Sequence, residues 1–273
     1  MRFGIMNDPY KDPIEEVRFA GNNDFDFFEL TVEKPLSDPA SLLECKKEFL
    51  DELSKYGLEL LGHAPWYFEL AHPYDRIRKA FLEESKDVID LLADFGAKKV
   101  TFHPVPVFTG VYSRKNYRSV LFDLLKESLK SLVDYARERG VELLLENIDG
   151  GEGKFFTIYE YEELLKETGA SLTLDIGHAN LYTKTFSGIV FIDRFAPKGL
   201  LKHVHASDNM GGEADLHLPI GVGRIRYPDV VKHLLRNGYR GTVTLEVFSQ
   251  DREYVLISRK KLEKMLSSFS RQL

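Results

Sequence analysis

The chain has 273 residues, 43% of them hydrophobic, and a formal net charge of −6. That length fits one barrel-sized domain or two small ones, and the acidic balance weighs against non-specific nucleic-acid binding, which needs basic surface. The single cysteine, Cys45, excludes an intrachain disulfide. No apolar run reaches membrane-spanning length or has the form of a signal peptide, so a cytoplasmic protein with no membrane partner is expected.

No low-complexity stretch or linker breaks the sequence, and strand-like and helix-like segments alternate throughout. That alternation predicts a parallel sheet with helical crossovers. The first strand is read at Arg2–Met6 and the second at Phe25–Thr31, with Glu29 near its end. Asp38 and Ser41 open a helix that runs to Tyr56, and the third strand, LELLGH, ends at His63. Tyr74–Phe95 reads as a helix with Ile77, Phe81, Val88, Leu91 and Leu92 in its apolar stripe. Gly96 stands where a helix C-terminal cap belongs. The fourth strand, KKVTFH, ends at His103, and a helix over Leu121–Arg139 stops at Gly140. VELLLE ends at Glu146 and is followed by a helix at Tyr159–Glu167; SLTLD ends at Asp175. Residues 179–200 are irregular around one short helix, and LKHVH carries the seventh strand to about Ser207. Tyr227–Arg236 is helical, TVTLE ends near Glu246, and Tyr254–Phe269 is the closing helix.

Six strands in succession, the third to the eighth, thus end or nearly end in a metal-binding side chain: His63, His103, Glu146, Asp175, His205 and Glu246. His178, Asp215 and His217 follow in the turns between. Aliphatic strands that each deliver one polar group at the carboxyl end are the working pattern of a (β/α)8 barrel. The expected fold is therefore α/β, a single TIM barrel domain over residues 1–273 with its site at the carboxyl ends of the strands. Imidazole plus carboxylate suits zinc, manganese, magnesium or cobalt.

Each residue taken singly has a plainer reading. A strand-end Asp or Glu often only caps the next helix. A lone histidine is usually a hydrogen-bonded structural residue, as expected of His72 in a loop and His233 on a helix. The ensemble resists that reading, because burying so many ionisable groups without a cation would be costly. Strand alternation puts His203 and His205 on one face, with His205 nearer the carboxyl end as the better ligand and His203 one layer deeper, holding a hydrogen bond. Asp215 and His217, two apart, can converge on one ion from an extended loop. Gly177 in LDIGH is expected to permit a sharp bend. GVG at Gly221–Gly223 lacks the setting of a nucleotide loop and reads as a turn. Gly150, Gly151 and Gly153 make a flexible loop. Ser207 lacks the G-x-S-x-G elbow of a hydrolase nucleophile. Trp66 and Tyr67 are candidates for a substrate pocket or for packing on the barrel rim.

GHAPW, FHP, LLLEN, LDIGH, HVHASDN, DLHLPIGVG and TLEVF occur in that order. With them the chain resembles the xylose-isomerase-like TIM barrel superfamily of sugar isomerases, sugar epimerases and endonuclease IV, over nearly its whole length. In the epimerase branch the resemblance implies one divalent ion on Glu146, Asp175, His205 and Glu246. It also implies Glu146 and Glu246 as the catalytic proton-transfer pair, and His178 against the substrate. In the endonuclease branch it implies three zinc ions, with His63, His103, His178, Asp215 and His217 as the additional ligands. The chain departs from the DNA-repair pattern at FFELTVEKP, where a basic aromatic motif is missing, at HASDN in place of HLNDS, and at Glu69 in place of asparagine. The sugar reading is thereby favoured: a metal-dependent isomerase or epimerase of a sugar or sugar phosphate, holding one ion and at most three. The rival is a zinc-dependent endonuclease of abasic DNA, with DNA as partner. A third reading is a non-catalytic sugar- or metal-binding barrel. A homo-oligomer is compatible with all three.

Overall fold

In the computed structural model, which describes residues 1–104 and 115–270, eight parallel strands in chain order close into a barrel. The strands are β1 (Arg2–Met6), β2 (Phe27–Thr31), β3 (Glu59–His63), β4 (Lys99–Phe102), β5 (Glu142–Glu146), β6 (Ser171–Asp175), β7 (Leu201–Ala206) and β8 (Thr242–Leu245). Among the described residues there are eight α-helices: α1 (Pro13–Asn22), α2 (Pro39–Tyr56), α3 (Asp75–Asp94), α4 (Lys115–Glu138), α5 (Ile158–Thr168), α6 (Gly188–Phe195), α7 (Tyr227–Arg236) and α8 (Glu253–Ser270). A 3-10 turn occupies His178–Asn180. The α/β barrel expected from the alternation is the fold observed. None of the described helices is long and apolar enough to cross a membrane.

Two compact units can be described in turn: Gly4–Glu146 with Glu163–Ser171, and Met1–Phe3 with Asn147–Glu162 and Leu172–Leu273. In the first, caps set the helices. The Asp12 carboxylate accepts from the Ile14 N–H (2.8 Å) with Pro13 at the first helical position. Asp38 accepts from the Ala40 N–H (3.3 Å) and the Ser41 hydroxyl (2.7 Å) ahead of Pro39. Both are the acidic-cap-then-proline start that satisfies free helix N–H groups. Phe28 packs on Phe49, and Phe49 on Phe95, at centroid distances of 6.0 and 5.6 Å. Full burial of such a ring stabilises by roughly 1.5–3 kcal/mol. The register sets Thr31 beside His63 and His63 beside Thr101, so the polar residues of β2–β4 lie level near the carboxyl ends.

In the second unit, Tyr161, Phe191 and Phe195 build the apolar layer, with centroids 5.5 and 5.8 Å apart. All five residues of β6 are buried, as a parallel strand covered on both faces requires. The register aligns Thr173, His203 and Thr242 at one level and Asp175, His205 and Thr244 two residues further on. Residues two apart share a face of a strand, so these are two stacked polar layers.

The element boundaries depart from the sequence reading in explicable places. β2 begins at Phe27 rather than Phe25, because the Phe25 N–H donates to the Ala20 carbonyl (3.2 Å) and belongs to the turn leaving α1. α4 begins at Lys115, ahead of Leu121. Its first turns, KNYRS, carry no apolar stripe to announce them. His103, Ser207 and Glu246 each stand one residue beyond their strands.

Candidate metal centre

The ends of β3, β4 and β5 bring three of the expected residues together. One Glu146 carboxylate oxygen, Oε2, lies 3.3 Å from His63 Nε2 and 3.0 Å from His103 Nε2. The two rings stand perpendicular with centroids 5.0 Å apart. His63 Nδ1 is 2.8 Å from the Ala64 carbonyl. A carbonyl can only accept, so that nitrogen carries the proton. A neutral ring with its proton there would turn a lone pair, at Nε2, toward the carboxylate. Two electron-rich atoms at that distance repel unless a proton or a cation lies between them. Candidate ligand atoms of His63, His103 and Glu146 all fall within 4.8 Å of one another. This donor set fits a divalent ion.

The second cluster belongs to the segments that follow β6 and β7, and repeats the arrangement. Asp215 Oδ2 lies 2.9 Å from both His178 Nε2 and His217 Nε2. His178 Nδ1 donates to the Asn147 carbonyl (2.8 Å), and His217 Nδ1 faces the Glu246 carbonyl (3.3 Å). Pinning one ring nitrogen on a carbonyl and presenting the other is the usual outer support of a metal-binding histidine. Burial pushes the Asp215 carboxyl up, but the hydrogen bonds with His178 and His217 outweigh it and hold it below the usual carboxylate range. Burial pushes His217 down, while Glu246, Asp215 and Asp175 together raise it to about 9. In the ion-free protein a proton therefore compensates charge where a cation could do so. His217 also has φ of 43°, a left-handed conformation that costs a non-glycine residue energy and recurs at functional sites. His205 is fully buried, with Nδ1 3.4 Å from Glu246 Oε2.

Three scaffold residues around this cluster are not candidates on sequence grounds. Asn147 is buried and its amide spans two strands: Oδ1 accepts from the Asp175 N–H (2.8 Å) and Nδ2 donates to the Asp175 carbonyl (3.0 Å). Asp175 Oδ1 in turn accepts from the His178 N–H at 2.5 Å. Asp208 accepts from the backbone N–H groups of Asn209 (2.9 Å), Gly221 (2.8 Å) and Ile225 (3.1 Å), which ties down the far end of the loop carrying Asp215 and His217. Asn209 donates to the Gly177 carbonyl (2.8 Å) and accepts from Asn180 (2.7 Å). Their only sequence signal is position: Asn147 follows Glu146 in LLLEN, and Asp208–Asn209 follow His205 in HASDN.

Gly177 corrects one expectation. Its φ of −65° is open to any residue, so it is not there to permit a bend. A Cβ at that position would lie 2.5 Å from Ser207 Oγ and 3.1 Å from Asp175 Oδ1; the glycine allows close approach. The Gly221–Gly223 segment is a turn fastened to Asp208, as expected. The Gly150–Gly153 loop is held by Asp149, which accepts from the Gly151 N–H (3.0 Å) and the Phe155 N–H (2.8 Å). Trp66 and Tyr67 lie in the loop after β3, edge to face at 5.5 Å, with Trp66 57% exposed. The Tyr67 hydroxyl is bonded to Glu33, which pushes it up to about 12. His72 is held by the Tyr74 N–H (3.1 Å), and His233 pairs with Asp193 (2.8 Å). Both lie outside these clusters. His203 sits in the deeper layer between Thr242 and Thr244.

A model of the family described as xylose isomerase-like TIM barrel matches residues 17–269. An uncharacterized protein of Methanocaldococcus jannaschii is 30% identical over 208 residues, covering 73% of this chain and 68% of that protein. A probable endonuclease 4 of Aquifex aeolicus is 29% identical over 218 residues, covering 73% of each. Among solved structures, a D-tagatose 3-epimerase-like protein superposes with a TM-score of 0.79 at 25% identity, covering 100% of this chain and 99% of that one.

Proposed function

We propose that this chain, which belongs to the xylose isomerase-like TIM barrel family, is a divalent-metal-dependent sugar isomerase or epimerase that works as one barrel domain. The observation that carries this reading is a donor set at the ends of β6, β7 and β8: ligand atoms of Asp175, His205 and Glu246 lie within 4.8 Å of one another, and all three residues are buried. Two buried carboxylates that close to each other are expensive without a compensating cation, and Glu146, buried at the end of β5, is taken as the fourth ligand. Three carboxylates with one imidazole suit manganese, magnesium, cobalt or zinc. When bound, the ion would serve as a Lewis acid toward a sugar carbonyl and its neighbouring hydroxyl. Glu146 and Glu246 are the proton carriers. One takes the proton from the carbon next to the carbonyl and the other returns one, the general acid–base role open to paired carboxylates. His178 meets the substrate, with Trp66 and Tyr67 lining its approach. The likeness to a D-tagatose 3-epimerase-like protein supports a sugar as substrate.

The test is turnover of a panel of ketoses and aldoses in D2O by the metal-loaded protein. Deuterium at the reacting carbon of the product is expected. Product without label would overturn the proton-transfer roles of both glutamates.

A second reading, a zinc-dependent endonuclease of abasic DNA, is favoured by the two histidine–carboxylate–histidine clusters and by the relative described as a probable endonuclease 4. Three tightly bound zinc ions per chain, together with cleavage of an abasic duplex, would replace the sugar reading with this one.

A further inference from the structure

Two buried carboxylates stand in the loops that follow β2 and β3, apart from the metal-binding clusters. Glu33 is 8% exposed. Its Oε1 accepts from the Lys34 N–H (3.1 Å), and the Tyr67 hydroxyl donates to the same carboxylate. Its Oε2 is nevertheless buried with no hydrogen-bond partner among the described residues. Glu69, also 8% exposed, lies two residues past Tyr67. Its Oε2 is 3.5 Å from His72 Nε2, and its Oε1 is likewise buried without a partner among the described residues. A buried acceptor left unsatisfied costs about 1–3 kcal/mol, so each of these oxygens calls for a reason. The Glu33 loop is braced. Asn7 accepts from the Thr31 N–H (2.7 Å) and donates to the Ser37 hydroxyl (2.9 Å), while Glu33 and Ser37 exchange two backbone hydrogen bonds of 3.0 Å. The Val32 N–H donates to the His63 carbonyl (2.9 Å), so this loop leaves its strand beside the strand end that carries His63. The exposed ring of Trp66 stands edge to face with Tyr67.

We infer that Glu33 and Glu69 are the hydrogen-bond acceptors of a subsite for substrate hydroxyls, with the Trp66 ring as its apolar wall, and that the substrate is a neutral sugar and not a sugar phosphate. The inference rests on the proposed sugar isomerase or epimerase activity and narrows it. An ionised carboxylate only accepts hydrogen bonds. A sugar hydroxyl brings the missing donor, and the C–H face of the same sugar can lie on an aromatic ring. A phosphate brings further acceptors and negative charge, which carboxylates in a poorly solvated setting repel. Phosphate sites are built the other way, from backbone N–H groups, arginine or lysine. The Tyr67 hydroxyl already makes to Glu33 the bond that a substrate hydroxyl would make. Its ring, 39% exposed, has room to turn aside.

The test measures kcat and KM of metal-loaded wild type, Glu33→Gln and Glu69→Gln. The substrates are a panel of ketoses and aldoses, D-tagatose and D-fructose among them, together with their 1- and 6-phosphates. Bound metal and melting temperature are followed alongside. Glutamine keeps the volume but replaces one acceptor by a donor. Each variant is expected to raise KM for the neutral sugar about 10–100-fold, the range for a hydrogen bond to a charged group, with a smaller change in kcat and wild-type metal content. The wild type should use the neutral sugar at least about 10-fold better than its phosphates in kcat/KM, since facing like charges costs several kcal/mol. A wild type that prefers a phosphorylated sugar would overturn the inference. So would wild-type KM in both variants, or a fall in kcat with KM unchanged. If one variant fails to fold, the other decides alone. No turnover of any sugar or sugar phosphate by the wild type would remove the sugar reading and this inference with it. Turnover of a neutral sugar, with both variants at wild-type KM, would overturn only the subsite.

Discussion

Two regions of the molecule solve the same chemical problem by different means. Around Glu146, and again around Asp215, a single carboxylate oxygen is shared by the Nε2 atoms of two histidines. In each region a histidine Nδ1 donates to a backbone carbonyl, His63 to Ala64 and His178 to Asn147. The Glu146 cluster stands at strand ends, with the glutamate fully buried, His63 and Glu146 as the last residues of their strands and His103 one residue past its own. The Asp215 cluster hangs partly on a loop, where the Asp215 side chain is 30% exposed and His217 holds a φ of 43°. Strand-borne ligands take their geometry from the sheet. Loop-borne ligands must be fastened by further side chains, here Asp208 and Asn209, at the expense of local strain. The strand cluster should therefore behave as a preformed part of the scaffold, and the loop cluster as an adjustable one.

The largest effect should come from the residue common to the strand cluster and the proposed four-ligand group. Glu146→Gln keeps the volume but removes both a ligand charge and a proton carrier. A loss of at least about 10³-fold in kcat/KM is expected, within the range of general acid–base contributions, together with loss of bound metal by elemental analysis. Asp215→Asn should cost about 10–100-fold, as for a supporting contact, and keep the first equivalent of metal. Equal losses from the two variants would break the distinction between the regions.

Next in size is the fastening of the loop. Asp208→Ala leaves three backbone N–H groups, those of Asn209, Gly221 and Ile225, without their acceptor. At about 1–3 kcal/mol for a buried group left unsatisfied, a loss of roughly 3 kcal/mol by urea denaturation is expected. Hydrogen exchange should rise over residues 208–225 and remain at wild-type protection in β3–β5. Exchange that rises equally in both regions would show that Asp208 supports the whole fold and not one loop. A smaller loss, about 1–3 kcal/mol from crowding, is expected for Gly177→Ala, since its Cβ would press on the buried Ser207 hydroxyl.

The same division explains what can be read from the chain alone. His63, Glu146, Asp175 and His205 are legible because each ends an apolar run, and strand alternation by itself ranks His205 above His203. The register of β6–β8 places those two histidines in successive layers, as alternation requires. Asn147, Asp208 and Asn209 are not legible in this way. Their work is to bind backbone groups such as Asp175 and Gly177, 28 and 32 residues away, and long-range partners of that kind leave no periodic trace. α1 is faint in the sequence because its ten residues carry only a short stripe, although Asp12–Pro13 is a legible start signal. Gly177 reads as a bend because turn chemistry is the commonest reason for glycine. The close approach of Ser207 is a tertiary fact.

The smallest expected effect is a pH dependence confined to the loop cluster. His217 is raised from 6.5 to about 9 in the ion-free protein. A folded-state pKa above the unfolded one means that its contribution is fully present below about pH 6.5 and is lost as pH rises through about 9. Asp215 is held below its ordinary 3.8, so its contribution is present above that value and fades only in stronger acid. The metal-free protein should therefore melt highest between about pH 4 and 6.5 as far as this pair is concerned, and lose stability from pH 6.5 to 9. His217→Gln should flatten that alkaline decline. A ligating imidazole must give up its proton, so metal binding at pH 8 should release protons, measurable by calorimetry in buffers of different ionisation enthalpy. The loaded protein should no longer lose stability toward pH 9. If His217→Gln melts with the wild-type slope between pH 6.5 and 9, the proton does not reside on the loop cluster, and the adjustable region must be sought elsewhere.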